Sequence, residues 1–315
     1  MSNINKIVVF GCSYMKGSEL VQKHYDDINA WAKKNFNSEL GPDGAIPLKN
    51  RTADNHVTYY HIERADPDWE HQLERLTVTY IARQELGIKE YKNYAVGGYS
   101  NVAIFAEMIR RKHEIDDNTL VILNCTYPFR STRLNVHWDT HTNHPKFKTY
   151  SVHKFTQHLL DPRFKDAIDI FDSVDDIPTR YVQAYGLMQA TKAMFKNVII
   201  LDTVSIYRET PDLIDRNIYP TDDGNGEICV PVNTIHKHIT RESDDYNTDL
   251  NPEITGFLQK EFNRILFPYT FAHSMVDVRD KNEYYRCVLT HPNWKVHELF
   301  AHNYLIPYIK ENYNV

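Results

Sequence analysis

No stretch of this chain approaches the ~20 consecutive apolar residues that a membrane-crossing helix needs. The opening sequence MSNINKIVVFGCS has a lysine and then only four apolar residues before a glycine, too short for the hydrophobic segment of a secretion signal. A basic surplus is missing as well: 36 Lys and Arg stand against 42 Asp and Glu, a formal net charge of −6. Domains that grip phosphate backbones displace counterions with excess positive charge, so nucleic acid is disfavoured as the principal ligand. Cysteine is scarce. The four residues, Cys12, Cys125, Cys229 and Cys287, form no CxxC pair and suggest neither a zinc ribbon nor a disulfide framework. Internal repeats and low-complexity tracts are absent too. Together these gaps lead us to expect a soluble protein kept in the cytoplasm, with no membrane partner.

What is present belongs to a folded protein: 42% hydrophobic and 25% charged residues, with 21 tyrosines raising the aromatic content. Its 315 residues can bury a full core, and nothing divides them, so a single domain over 1–315 is expected. Short apolar runs predict buried parallel strands at IVVF (7–10), YKNYAV (91–96), LVILN (120–124) and NVIIL (197–201). Helical periodicity predicts helices over 71–86, 100–114 and 179–195, with a last one packing from WKVHELFAHNYLIPYIKENY at the C-terminus. Strand and helix alternate. That rhythm predicts a three-layer α/β/α fold on a flavodoxin-like parallel sheet, whose ligand crevice lies at the carboxyl ends of the strands. Polar stretches near 36–68, 128–178 and 203–252 exceed the ~15 residues of an ordinary connection and are read as insertions.

Three short stretches fall where chemistry is expected. In VVFGCSYMKG, Ser13 stands two residues past the first strand, either as a nucleophile at the sheet edge or as the cap of the next helix. In NYAVGGYSN, Gly97 and Gly98 leave the second strand, and the Gly98 N–H can approach a ligand with no side chain in the way. In THPNWKVHELFAH, His291 precedes proline, which restricts its backbone and holds it in a turn suited to a general base; His297 and His302 belong to the helix and pack or face solvent.

In their order and spacing these stretches resemble the SGNH/GDSL hydrolase family of esterases and acyl transferases. GCSYMKG is similar to the family's first block, G-D-S-x-x-x-G, with Ser13 as nucleophile and Cys12 in place of Asp. NYAVGG resembles the second block, with Asn93 as a substrate-binding residue and Gly98 as the oxyanion glycine, and THPNW resembles the fifth, D-x-x-H-P, with His291 as base. The third block, normally G-x-N-D, reads LNCTYPFR here, so that Thr126 or Asn124 takes the oxyanion position, with Arg130 just beyond as a candidate for an anionic substrate group.

The family's Asp three residues before the histidine is Val288 in this chain. Removing the orienting carboxylate of a serine protease costs ~10⁴-fold in kcat. The resemblance therefore leaves several outcomes: a Ser–His dyad oriented by a backbone carbonyl, an acid from Asp277, Asp280, Glu283 or Asp202, or a scaffold without hydrolytic activity.

A separate cluster, HWDTHTNH, gathers His137, Asp139, His141 and His144 within eight positions. Such side chains can hold a divalent ion that generates hydroxide, although their spacing matches no motif with a mechanical reason behind it, and a solvated loop is the simpler expectation. The resemblance implies a serine esterase that removes a small acyl group from a carbohydrate or related ester, or an O-acyltransferase, with no metal or organic cofactor.

Overall fold

The computed structural model describes residues 3–17, 73–97, 99–126, 130–139, 144–151, 177–203, 207, 252–274 and 294–315. Among the described residues six strands run in chain order: β1 (Lys6–Phe10), β2 (Glu90–Asn93), β3 (Thr119–Asn124), β4 (Arg130–Asp139), β5 (His144–Ser151) and β6 (Asn197–Leu201). Four of them form a parallel sheet in the order β2-β1-β3-β6, while β4 and β5 make a separate antiparallel ribbon. β1 and β3 are apolar throughout their middles because both faces are covered: Ile7 to Phe10 and Leu120 to Ile122 are all fully buried. β2, EYKN, alternates exposed and half-buried residues, as an edge strand does.

From β1 the chain goes first to one neighbour, β2, and then returns to the other, β3. The topological switch point therefore lies between β1 and β3, at whose carboxyl ends folds of this kind bind their ligands. This is the doubly wound α/β/α arrangement that the alternation predicted.

The helices are α1 (Ser13–Lys16), α2 (Val78–Glu85), α3 (Asn101–Arg110), α4 (Ile177–Met194), α5 (Pro252–Ile265), α6 (Trp294–Phe300) and α7 (Ile306–Asn312). α4 packs against α3 and α5, while α2 packs against α6 and the π turn Ala301–Leu305, giving two helical layers. Among the described residues no helix is long and apolar enough to cross a membrane.

Several elements differ from expectation. α2 starts at Val78 rather than near 71, where two acceptors meet its first N–H groups: Val78 N donates to His297 Nδ1 at 3.2 Å and Tyr80 N to Thr77 Oγ1 at 3.4 Å. The C-terminal helix is interrupted by a π turn immediately before Pro307, which has no N–H to continue the regular ladder. α5 was not anticipated. Its signal is a proline at the first helical position followed by buried Leu258, Phe262 and Ile265 at helical spacing. Within the polar stretch 128–178, residues 130–139 and 144–151 pair as an antiparallel ribbon in which Asp139 faces His144 in register, so His137, Asp139 and His144 belong to strands and not to the expected loop. The stretch 36–68 lies outside the described residues, as do 152–176 and 208–251.

At the edge of the sheet, Glu114 ties β2 to the end of α3. It accepts from Lys92 Nζ at 2.6 Å, from the Tyr94 hydroxyl at 2.5 Å and from Arg111 Nη1 at 2.9 Å. These bonds, that of Lys92 first, hold its carboxyl down from 4.5 to about 2. A carboxyl depressed in the folded state stabilises the fold above its unfolded value, and that contribution fades as pH falls from 4.5 toward 2. Glu114→Gln should therefore lower stability at neutral pH by about 1 kcal/mol after solvent screening. Urea titrations of the two proteins should converge at the acid end of that window.

Candidate active site at the carboxyl edge of the sheet

The site grows from Gly11, the residue after β1. A Cβ there would lie 3.0 Å from Met15 Cγ and 3.1 Å from Asn124 Cβ, so any larger residue would have to push α1 or the end of β3 aside by a few tenths of an ångström. Cys12 occupies the N-cap with extended backbone and no side-chain capping bond; its carbonyl accepts from Met15 N at 3.1 Å and Lys16 N at 3.2 Å. Ser13 is thus the first helical residue and not the cap. It is 2% exposed, on a helix of a single turn that Gly17 ends in the left-handed conformation, with its N–H donating to the Ser13 carbonyl.

The second stretch comes alongside. Beyond β2, Tyr94 N donates to the Val9 carbonyl at 2.8 Å and Val96 N to the Gly11 carbonyl at 3.0 Å, which brings the turn at Gly97 beside the strand that carries Ser13. Asn93 shapes that turn from both ends of its amide: Ala95 N donates to Oδ1 at 3.0 Å, and Nδ2 donates to the Met15 carbonyl at 2.8 Å. Read from sequence as a substrate contact, Asn93 here joins α1 to the glycine turn. Gly98 itself lies outside the described residues.

The third stretch ends β3. Asn124 is fully buried, and its amide donates to Cys12 Sγ at 3.6 Å and accepts from Thr203 Oγ1 at 2.8 Å. It is a strut joining the ends of β1, β3 and the segment after β6. Thr126 differs. Its main chain is clamped by Asn101, whose Oδ1 accepts from Thr126 N at 2.8 Å while Nδ2 donates to Thr126 O at 3.1 Å. The Tyr207 hydroxyl donates to the same carbonyl at 2.5 Å. Yet Thr126 Oγ1 is buried with no hydrogen-bond partner among the described residues. A buried hydroxyl left this way is unusual in a folded protein.

The surroundings are poor in charge. Burial, then Asp202 and Cys12, push the Cys125 thiol well up, and burial does the same to the Tyr207 phenol, so both stay neutral. Asp202, buried at the end of β6, accepts from Tyr207 N at 2.8 Å. Asn101 and Tyr207 were not singled out from the sequence; Asn101 lies one residue past the helix cap Ser100, and Tyr207 stands in a polar stretch. Asn101→Ala leaves the Thr126 N–H buried and unpaired, an expected loss of about 2 kcal/mol. Tyr207→Phe, which leaves that N–H paired, should lose about half as much in the same denaturation series.

His291 and Asp277 lie outside the described residues, as do Asp280, Glu283 and Val288. Arg130 begins β4, His137 belongs to the same strand and His144 begins β5; His141 is outside. His297 is buried against Phe271, with ring centroids 4.7 Å apart, and His302 is exposed, matching the structural roles expected of them.

No protein-family model matches this chain, and no curated protein does. Among solved structures it is similar to a member of the lipolytic protein G-D-S-L family from Veillonella parvula DSM 2008, at 12% identity over 94% of each chain and a TM-score of 0.34.

Proposed function

We propose that the chain is a serine ester hydrolase of SGNH-like design. Ser13 attacks the ester carbonyl, His291 takes its proton, and the N–H groups of Ser13 and Gly98 with the Thr126 hydroxyl receive the oxyanion. Asn124 is the weaker oxyanion candidate, since its amide is already engaged. Asp277 or Asp202 is the acid proposed to orient His291, in place of the family's Asp. The carrying observation is the convergence at the switch point: Ser13 opens the turn after β1, Val96 bonds Gly11 from the glycine turn, and the Thr126 hydroxyl, without a partner among the described residues, lies just past the end of β3. Small acyl groups on carbohydrate are the proposed substrate class, with Arg130 serving an anionic substituent. Water as acceptor gives hydrolysis; a sugar hydroxyl gives O-acyl transfer.

A second reading is favoured by the 2% exposure of Ser13 and the engagement of both asparagine amides by the protein: an SGNH-like scaffold that binds without reacting. Labelling by a fluorophosphonate decides between them. Covalent modification of wild type, absent in Ser13→Ala and insensitive to chelator, supports the hydrolase. No labelling of wild type supports the scaffold, while chelator-sensitive ester turnover that survives Ser13→Ala would move the chemistry to the His137–His144 hairpin.

A further inference from the structure

Away from this site, an open cleft of about 470 Å³ runs along the edge strand β2. Arg83, Lys89 and Lys92 line it with Tyr80 and Tyr91, against one carboxylate among the described residues, Glu74. The three cations are not equivalent. Lys92 is held by Glu114, but Lys89 is exposed, and neither its ammonium group nor the Tyr80 hydroxyl has a hydrogen bond or ion pair among the described residues. The Arg83 guanidinium lies 5.7 Å from the centre of the Tyr80 ring and gives one N–H to the Lys89 carbonyl at 3.0 Å. Its Nε is buried with no partner among the described residues. Folded proteins seldom bury a charged donor unmet, and a planar guanidinium with N–H groups to spare matches a carboxylate or phosphate.

We propose that this cleft binds a small organic anion, a carboxylate or a phosphate monoester, between Arg83 and Lys89, with the Tyr80 hydroxyl as a further donor. Tyr91 forms the neutral wall. Its phenol shares a 2.9 Å bond with Thr79 and is pushed up by burial, so it adds no negative charge to repel the ligand. The Tyr80 and Tyr91 rings meet edge to face at 5.3 Å, which fixes the wall on which the ligand's carbon skeleton rests. The inference does not depend on ester chemistry, because its readout is binding.

Titration of the full chain with phenyl phosphate, benzoate and neutral phenol, followed by nuclear magnetic resonance, tests it. One or both anions should bind, more weakly as salt is raised, and phenol should not compete. Arg83→Gln and Lys89→Gln should each weaken binding about tenfold, while Lys310→Gln, on the remote helix α7, should leave it unchanged. Preference for phenyl phosphate assigns the phosphate class, and preference for benzoate the carboxylate class. Because Lys89 is exposed, its variant tests the site even if Arg83→Gln unfolds. Absence of anion binding, equal binding of phenol, or affinity unaltered by Lys89→Gln would overturn the assignment.

Discussion

Ser13→Ala is expected to lower turnover of p-nitrophenyl acetate by on the order of 10⁴-fold to 10⁶-fold if the hydroxyl is the nucleophile. The substitution is well suited to the question. The bond that Ser13 makes to Gly17 comes from its main-chain carbonyl, which alanine keeps, and alanine is at least as good a residue within a helical turn. Loss of rate with an unchanged urea midpoint therefore reports chemistry. His291→Ala should match it, and the double variant should be no worse than either alone, since two groups acting on one proton transfer are not additive. Full turnover by a folded Ser13→Ala protein would remove the serine mechanism entirely.

The sheet was readable because its chemistry is local. Strands buried on both faces have to be apolar without interruption, and Val8, Val9, Val121 and Ile122 announce that in a few letters. β2 was legible only in part: a buried strand was expected over 91–96, whereas the strand is Glu90–Asn93, exposed and half-buried because it lies at the sheet edge with one face uncovered. The roles of the polar residues at the sheet edge were less legible. Asn124 has the residue type of an oxyanion donor, but complete burial requires partners for its amide, and Thr203 supplies one from 79 residues away. The clamp of Asn101 on Thr126 and Tyr207 depends on the close approach of three segments, one of them 106 residues distant, and no spacing rule along the chain encodes it. The helix break at Pro307 shows the reverse case. The proline was visible, but whether it ends a helix or is accommodated by a wider turn depends on packing against α2.

Gly17→Ala should be among the most damaging single substitutions in the described chain, at about 3 to 4 kcal/mol. At φ +81 an added Cβ brings the left-handed strain of any L-residue, roughly 1 to 2 kcal/mol. It also meets Thr77 Cγ2 at 2.8 Å and the Leu73 carbonyl oxygen at 2.9 Å. The first contact is a methyl on the residue that caps α2, and the second is backbone, so neither can swing aside as the tip of a long side chain would. Gly87 separates the two contributions. Its φ is +65, but nothing lies within 4 Å of a Cβ there, so Gly87→Ala should lose only the strain, about 1 kcal/mol. Parallel urea titrations measure the difference, and equal losses would mean that the neighbours of Gly17 yield. If they hold, the displacement falls on the turn Ser13–Lys16 itself, since the Gly17 N–H is bonded to the Ser13 carbonyl. Fluorophosphonate labelling of Ser13 should then drop by more than the unfolded fraction explains in Gly17→Ala, and by no more than that fraction in Gly87→Ala.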